Sequence, residues 1–156
     1  MRNAAHGDLF SVAFWKNGLL HGIILAQRSK MGERAVNITR ILEQRDGSIY
    51  TCHLTQGVAE AAQLLADRRI GALPVMDGDT VAGIFSERDL LYCIAKEGAA
   101  ALNRTVGEVM TSPPITVTPD TGILEALGLM TRRRVRHLPV MEGNRMVGLI
   151  SIGDLV

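Results

Sequence analysis

Val58, Ala61, Ala62, Leu64 and Leu65 recur at the spacing of a helix with one apolar face, and Ile123, Ala126, Leu127 and Met130 repeat that pattern further on. Each run gives way to two apolar stretches separated by a polar turn. GALPVM (71–76) leads through DGD into TVAGIF (80–85), and RHLPVM (136–141) leads through EGN into RMVGLI (145–150). Two hairpins are predicted, with Asp77-Gly78 and Glu142-Gly143 supplying the positive φ that a tight turn needs. Pro74 and Pro139 cannot donate a ladder hydrogen bond, which predicts a strand edge at each of them.

A second helix is predicted from Ser86 to Gly98, carried by Leu90, Leu91, Cys93, Ile94 and Ala95, and a second start of the same kind at Ser151. Short apolar turns, NITRIL (37–42) and TVGEVM (105–110), introduce the two halves. Turn-rich pieces (EQRDGS and TSPP) and short strands (IYTCHL, 49–54, and ITVTP, 115–119) follow them. Gly57 and Gly122 are placed as N-caps of the first helices, with Glu60 and Glu125 able to reach back to the cap amides. The arginines Arg68-Arg69 and Arg132-Arg133-Arg134 load the last turns, where positive charge complements the helix dipole.

Leu73 and Leu138, Pro74 and Pro139, Gly83 and Gly148, Ser86 and Ser151, and Asp89 and Asp154 all stand 65 positions apart. A fixed offset through helix, strand, turn and strand means one supersecondary unit used twice. The division is into a first repeat over 37–103, a second over 104–156, and an N-terminal extension over 1–36 outside the repeat. The extension holds Phe10, Phe14 and Trp15, and reads either as a docking helix or as a poorly ordered upstream segment. The second repeat stops two residues past Asp154. If the chain is complete there, that repeat lacks its closing helix.

Composition narrows the functional classes. The chain of 156 residues is 47% apolar and 21% charged with a formal net charge of +1, which suits one compact module and disfavours a broad basic surface for nucleic acid. Cys52 and Cys93 form no Cys-x-x-Cys, so neither a disulfide framework nor zinc spacing is present, and a reducing, cytoplasmic location is expected. The apolar stretch at 9–27 is interrupted by Lys16, Asn17, Gly18 and His21, so no membrane span is expected. No nucleophile, base and orienting group stand together, there is no glycine-rich phosphate loop, and His6 and His53 lack partners at metal-ligand spacing. The chain is therefore read as not an enzyme, with no catalytic residue, no metal site and no required cofactor.

The phrases GALPVMDGDTVAGIFSERDLL and RHLPVMEGNRMVGLISIGDLV resemble the cystathionine beta-synthase (CBS) domain pair, over roughly Ile38 to Val156. The resemblance implies an α+β fold: two β-α-β-β-α units packed as one pseudo-two-fold, disc-like module that usually pairs into a homodimer. It also implies clefts between the units that bind an adenine nucleotide (AMP, ADP or ATP), with S-adenosylmethionine or a dinucleotide such as NAD ranked behind. Occupancy would regulate a partner protein, as in energy sensing. The alternative is an interaction module that recruits its partner with no ligand.

On that resemblance the Ser-x-x-Asp steps carry two readings. Ser86 with Asp89, and Ser151 with Asp154, form helix capping boxes; the same carboxylates are suited to the two ribose hydroxyls, beside a helix N-terminus that faces phosphate. Arg136 and His137 open the second repeat's first strand and replace Gly71 and Ala72 of the first. Two unequal clefts are expected. One, lined by Arg136, His137, Ser151 and Asp154, would prefer a phosphorylated ligand; the other, lined by Thr51, Ser86 and Asp89, would be weaker. Thr51 and Thr116 are placed where the family contacts adenine or ribose, and Arg88 and Arg134 are further phosphate candidates.

Overall fold

In the computed structural model, which describes residues 36–156, the chain runs through α1 (Ile38–Glu43), β1 (Cys52–His53), α2 (Val58–Arg68), β2 (Ala72–Asp77), β3 (Thr80–Ser86) and α3 (Glu87–Glu97). A 3-10 turn (Gly98–Asn103) then leads to α4 (Val106–Val109), α5 (Ile123–Arg133), β4 (His137–Glu142), β5 (Arg145–Ser151) and α6 (Ile152–Leu155). The extension expected over 1–36 lies, apart from Val36, outside the described residues. The rest is an α+β chain of two tandem units that share the order of helix, hairpin and following helix.

Both predicted hairpins form. In the antiparallel pair β2–β3 Leu73 faces Phe85, and in β4–β5 Leu138 faces Ile150, so the same positions of each repeat are buried. Both pairs slip register at the same place, between Val75 and Met76 and between Val140 and Met141. Gly78 (φ 60°) and Gly143 (φ 61°) supply the positive φ of the turns.

The strands before the helices are shorter than predicted. Cys52 and His53 alone pair with β2, parallel and in register with Val75 and Met76, while in the second repeat Val117 makes a single bridge to Val140. The prolines explain the limit. β2 is a central strand from Val75 onward, but Pro74, just before that register begins, has no N–H to extend it. In the second repeat the carbonyl of Pro139 accepts from the Val117 amide at 3.0 Å, and the Met141 amide returns to Val117 at 2.8 Å.

The first helices differ from expectation in their caps. Glu60 accepts from the Gln56 side chain at 2.9 Å instead of returning to the cap amide. The first amide of α2, from Val58, is satisfied by the Arg104 carbonyl at 2.9 Å, and that of α5, from Ile123, by the Val36 carbonyl at 3.4 Å. Each helix ends on an arginine in the left-handed region, Arg69 (φ 54°) and Arg134 (φ 55°), a conformation that costs a non-glycine residue about 1 kcal/mol and is repeated in both units.

Those cap bonds belong to a larger exchange. Ile38 of α1, fully buried, joins the core of Val117, Ala126, Leu127, Met130, Leu138, Val140, Ile150 and Leu155, all of which come from the second repeat. Val106 of α4, fully buried, joins Cys52, Val58, Ala61, Leu65, Leu73, Val75 and Phe85 of the first. Bridges from Asn37 to Gly122 and from Gly57 to Thr105 fasten the exchanged segments. Each core therefore needs the opening apolar helix of the other repeat.

Candidate functional site

The two units meet where β2 and β4 begin. Gly71 and Arg136 occupy corresponding positions, and each lends its carbonyl to the first amide of the helix that follows its hairpin. The Glu87 amide donates to Gly71 at 3.0 Å, and the Ile152 amide to Arg136 at 2.9 Å. His137, the next residue on, turns its ring against Gly71. A β-carbon on Gly71 would lie 3.2 Å from its Cε1 and 3.4 Å from its Nε2, so the glycine makes room for the imidazole. Burial lowers the His137 pKa below its ordinary value, as does the nearby Arg136, while Glu87 and Asp154 oppose the shift. A cleft lies on either side of this imidazole, and both touch it.

The first cleft, about 510 Å³, is bounded by the start of α3, the residues after α4 and the start of β4. Its floor is the capping box at Ser86. Asp89 Oδ2 accepts from the Ser86 amide and hydroxyl, each at 2.8 Å, and the Asp89 amide returns to Ser86 Oγ at 3.3 Å. The other oxygen, Asp89 Oδ1, accepts from the Thr111 hydroxyl at 2.8 Å. Capping thus leaves one carboxylate oxygen turned toward the cleft. Arg88, Arg134 and Arg136 supply positive charge, and Arg88 reaches across the seam to the Arg134 carbonyl at 3.0 Å. Ile84, Pro113, Pro114, Ile115 and Val135 give an apolar wall, with Tyr92 at its edge. A flat, apolar group beside a carboxylate and three guanidinium groups is the kind of ligand this surface complements.

The second cleft, about 620 Å³, repeats the design with different neighbours. Asp154 Oδ2 accepts from the Ser151 amide at 2.6 Å and from the Ser151 hydroxyl at 2.9 Å. Its Oδ1 is ion-paired with Arg45. Ser48, Ile49 and Tyr50 come from the segment after α1, and Arg69, Gly71 and Ala72 from the seam. Arg68 lies over the Tyr50 ring, 4.6 Å from its centroid.

The structure divides the sequence-selected residues differently from the expected grouping. Arg136 lines the first cleft with Ser86 and Asp89, together with Arg88 and Arg134, while Ser151 and Asp154 line the second and His137 lines both. The reason is the exchange of α1 and α4, which sets each Ser-x-x-Asp step beside the segment that follows the other repeat's opening helix. Thr51 and Thr116 are exposed and are not among the residues lining either cleft; Thr116 borders a separate shallow depression with Thr118, Glu125 and Arg132. Thr111 and Arg45 were not selected from the sequence. The signal was available only in combination, as polar residues just after the two opening turns, in segments where the repeat carries no constant spacing.

Among the described residues no group of three or more histidine, cysteine, aspartate or glutamate side chains is placed to hold a metal ion, and no helix is long and apolar enough to cross a membrane. His53 is engaged locally, with Nδ1 2.8 Å from Thr55 Oγ1. Burial, with a smaller contribution from Glu60, pushes the Cys52 thiol up to about 11, so it is a protonated core residue rather than a nucleophile.

Two copies of one α+β unit, joined at a seam with a cleft on either side, define a paired tandem-repeat module. The CBS domain pattern matches residues 45–96 and 106–156, and the chain belongs to the CBS domain family. It is 35% identical over 140 residues to the mitochondrial CBS domain-containing protein CBSX3 of Arabidopsis thaliana, an alignment that covers 84% of this chain and 68% of that one. The crystal structure of a CBS-domain containing protein from Agrobacterium tumefaciens superposes with a TM-score of 0.75 at 35% identity, covering 80% of this chain and 94% of that one. CBSX2 in complex with AMP superposes with a TM-score of 0.64 at 25% identity, covering 76% and 92%.

Proposed function

We propose that this chain is a non-catalytic regulatory module that binds an adenine nucleotide at the seam between its repeats and passes its occupancy to a partner protein. The observation that carries the reading is the first cleft, where the Asp89 oxygen that capping leaves to the Thr111 hydroxyl, three arginines and an apolar wall converge within one space of about 510 Å³. Asp89 would take the ribose hydroxyls, Arg134 and Arg136 the phosphate, and Ile84 with the Pro113–Ile115 segment the adenine face. The relative bound to AMP supports the choice of ligand class. AMP, ADP and ATP share these groups; S-adenosylmethionine shares only the adenosine end, and NAD carries a nicotinamide nucleoside beyond its phosphates. Ligand that favours one packing of the two repeats over another shifts the population of surfaces offered to a partner. We further propose a homodimer in the cytoplasm, the latter because Cys52 and Cys93 are both buried, unpaired thiols.

A second reading, a ligand-free interaction module, has one observation in its favour. Leu91 and Tyr92, which line the first cleft, are 62% and 65% exposed, an adjacent apolar pair open to a partner surface. Calorimetric titration of AMP separates the two. The nucleotide reading expects binding that Arg136→Ala weakens by at least about tenfold, since a charge-assisted bond contributes about 1.5–3 kcal/mol. Absence of binding by AMP, ATP, S-adenosylmethionine and NADH would leave the interaction module as the function.

A further inference from the structure

In the two clefts the same pair of acceptors is met by chemically different donors. The Ile84 carbonyl accepts from the Thr111 amide at 2.9 Å, and Asp89 Oδ1 accepts from the Thr111 hydroxyl at 2.8 Å. At the corresponding positions of the second repeat, the Leu149 carbonyl accepts from Arg45 Nη1 at 2.7 Å, and Asp154 Oδ1 is ion-paired with Arg45 Nη2. One threonine, with a backbone N–H and a hydroxyl, does at the first site what one guanidinium does at the second. The two occupants differ in how they yield. A hydroxyl can rotate and accept as well as donate, so Thr111 can turn to an incoming ligand hydroxyl while Asp89 accepts a hydrogen bond from that ligand. A guanidinium only donates and carries charge, and it is held here at two points. The Asp154 side chain is 17% exposed and that of Arg45 42%, so the pair stands at the rim of the cleft with its carboxylate inside.

We propose that Arg45 is a latch on the second cleft: it occupies the carboxylate oxygen that a ribose diol would need, so the Asp89 cleft fills first and the Asp154 cleft fills only when Arg45 swings away. This rests on the reading of both carboxylates as ribose acceptors, and it reverses the expectation from sequence that the Asp154 cleft is the preferred one. It makes the module a two-threshold device for one ligand class, with the second threshold set by a residue outside the hairpin repeat.

The alternative role for Arg45 is as a phosphate ligand, and adenosine distinguishes the two because it carries the diol without the phosphate. Adenosine and AMP are titrated calorimetrically into the wild-type chain, Arg45→Ala, Asp89→Ala and the double variant Arg45→Ala/Asp154→Ala, with each variant's fold checked by circular dichroism. The latch predicts that Arg45→Ala tightens adenosine binding at the weaker site by about two- to fivefold, the scale of a partly exposed ion pair, and that Asp154→Ala cancels the gain. Asp89→Ala removes the tighter site and leaves the weaker one. Adenosine binding unchanged in Arg45→Ala, with AMP binding weakened, overturns the latch and makes Arg45 a phosphate ligand. Two equal sites in the wild-type chain overturn it as well. Absence of adenosine and AMP binding in every variant is a different result, the failure of the ribose reading itself.

Discussion

Gly83 passes so close beneath Thr111 that a β-carbon on it would lie 2.6 Å from the Thr111 carbonyl oxygen. The corresponding Gly148 faces Leu42 instead, 2.5 Å from the end of a flexible side chain. Gly83→Ala must therefore push apart the backbone bridge between Ile84 and Thr111, while Gly148→Ala needs only a new Leu42 rotamer. We expect Gly83→Ala to lose about 1–3 kcal/mol in urea denaturation, the cost of overpacking a rigid contact, and Gly148→Ala distinctly less. Equal losses would show that the Thr111 segment moves as freely as a leucine side chain.

Ser86→Ala and Asp89→Ala dismantle the same capping box, so each is expected to cost about 0.5–2 kcal/mol of stability. Their effects on ligand should separate, because only Asp89 presents a carboxylate oxygen to the cleft. AMP affinity measured by titration is expected to fall at least about tenfold in Asp89→Ala and by much less in Ser86→Ala. Matched losses in the two variants would assign Asp89 a purely structural part.

His137 makes stability depend on pH in a defined direction. Its folded pKa lies below the ordinary 6.5, so at higher pH the imidazole is neutral in both states and the fold bears no penalty. As pH falls below 6.5 the unfolded chain takes up the proton first, and stability declines until the lowered folded value has been passed. His137→Asn is expected to flatten the decline of stability that this group contributes as pH falls through 6.5. Urea melts at several pH values check it; a curve unchanged by the substitution would mean that Glu87 and Asp154 offset the burial.

Ile38 opens the first repeat in sequence but is fully buried in the core of the second. Ile38→Ala is expected to cost about 2–5 kcal/mol by leaving a cavity there. Amide hydrogen exchange should then accelerate in β4 and β5 before β2 and β3. Faster exchange confined to β2 and β3 would contradict the exchanged packing.

Much of this fold was legible because its periodicities are local. The apolar spacing from Val58 to Leu65, the hairpin turns at Gly78 and Gly143 and the capping boxes at Ser86 and Ser151 depend on residues a few positions apart. The first strands are shorter than IYTCHL suggests because β-propensity says nothing about whether a partner strand with a free amide is present, and at Pro74 it is not. The clefts were legible residue by residue but not in their pairing. Arg136 stands beside Asp89, 47 positions away, and Arg45 beside Asp154, 109 positions away, relationships that a repeat offset of 65 cannot express. The Glu60 cap failed for a local reason, since Gln56 offers that carboxylate a nearer donor.

The crossing of α1 and α4 also bears on how such a chain can be cut or copied. A single repeat with its own opening helix would carry an apolar helix that its own core does not receive, and would lack the one that its core requires. Two copies of that fragment could satisfy each other by swapping helices, so the tandem chain amounts to a swapped dimer whose subunits have been joined end to end. Scission between the repeats is therefore expected to yield halves that stay clasped, whereas removal of residues 37–43 would loosen the half furthest from them in sequence.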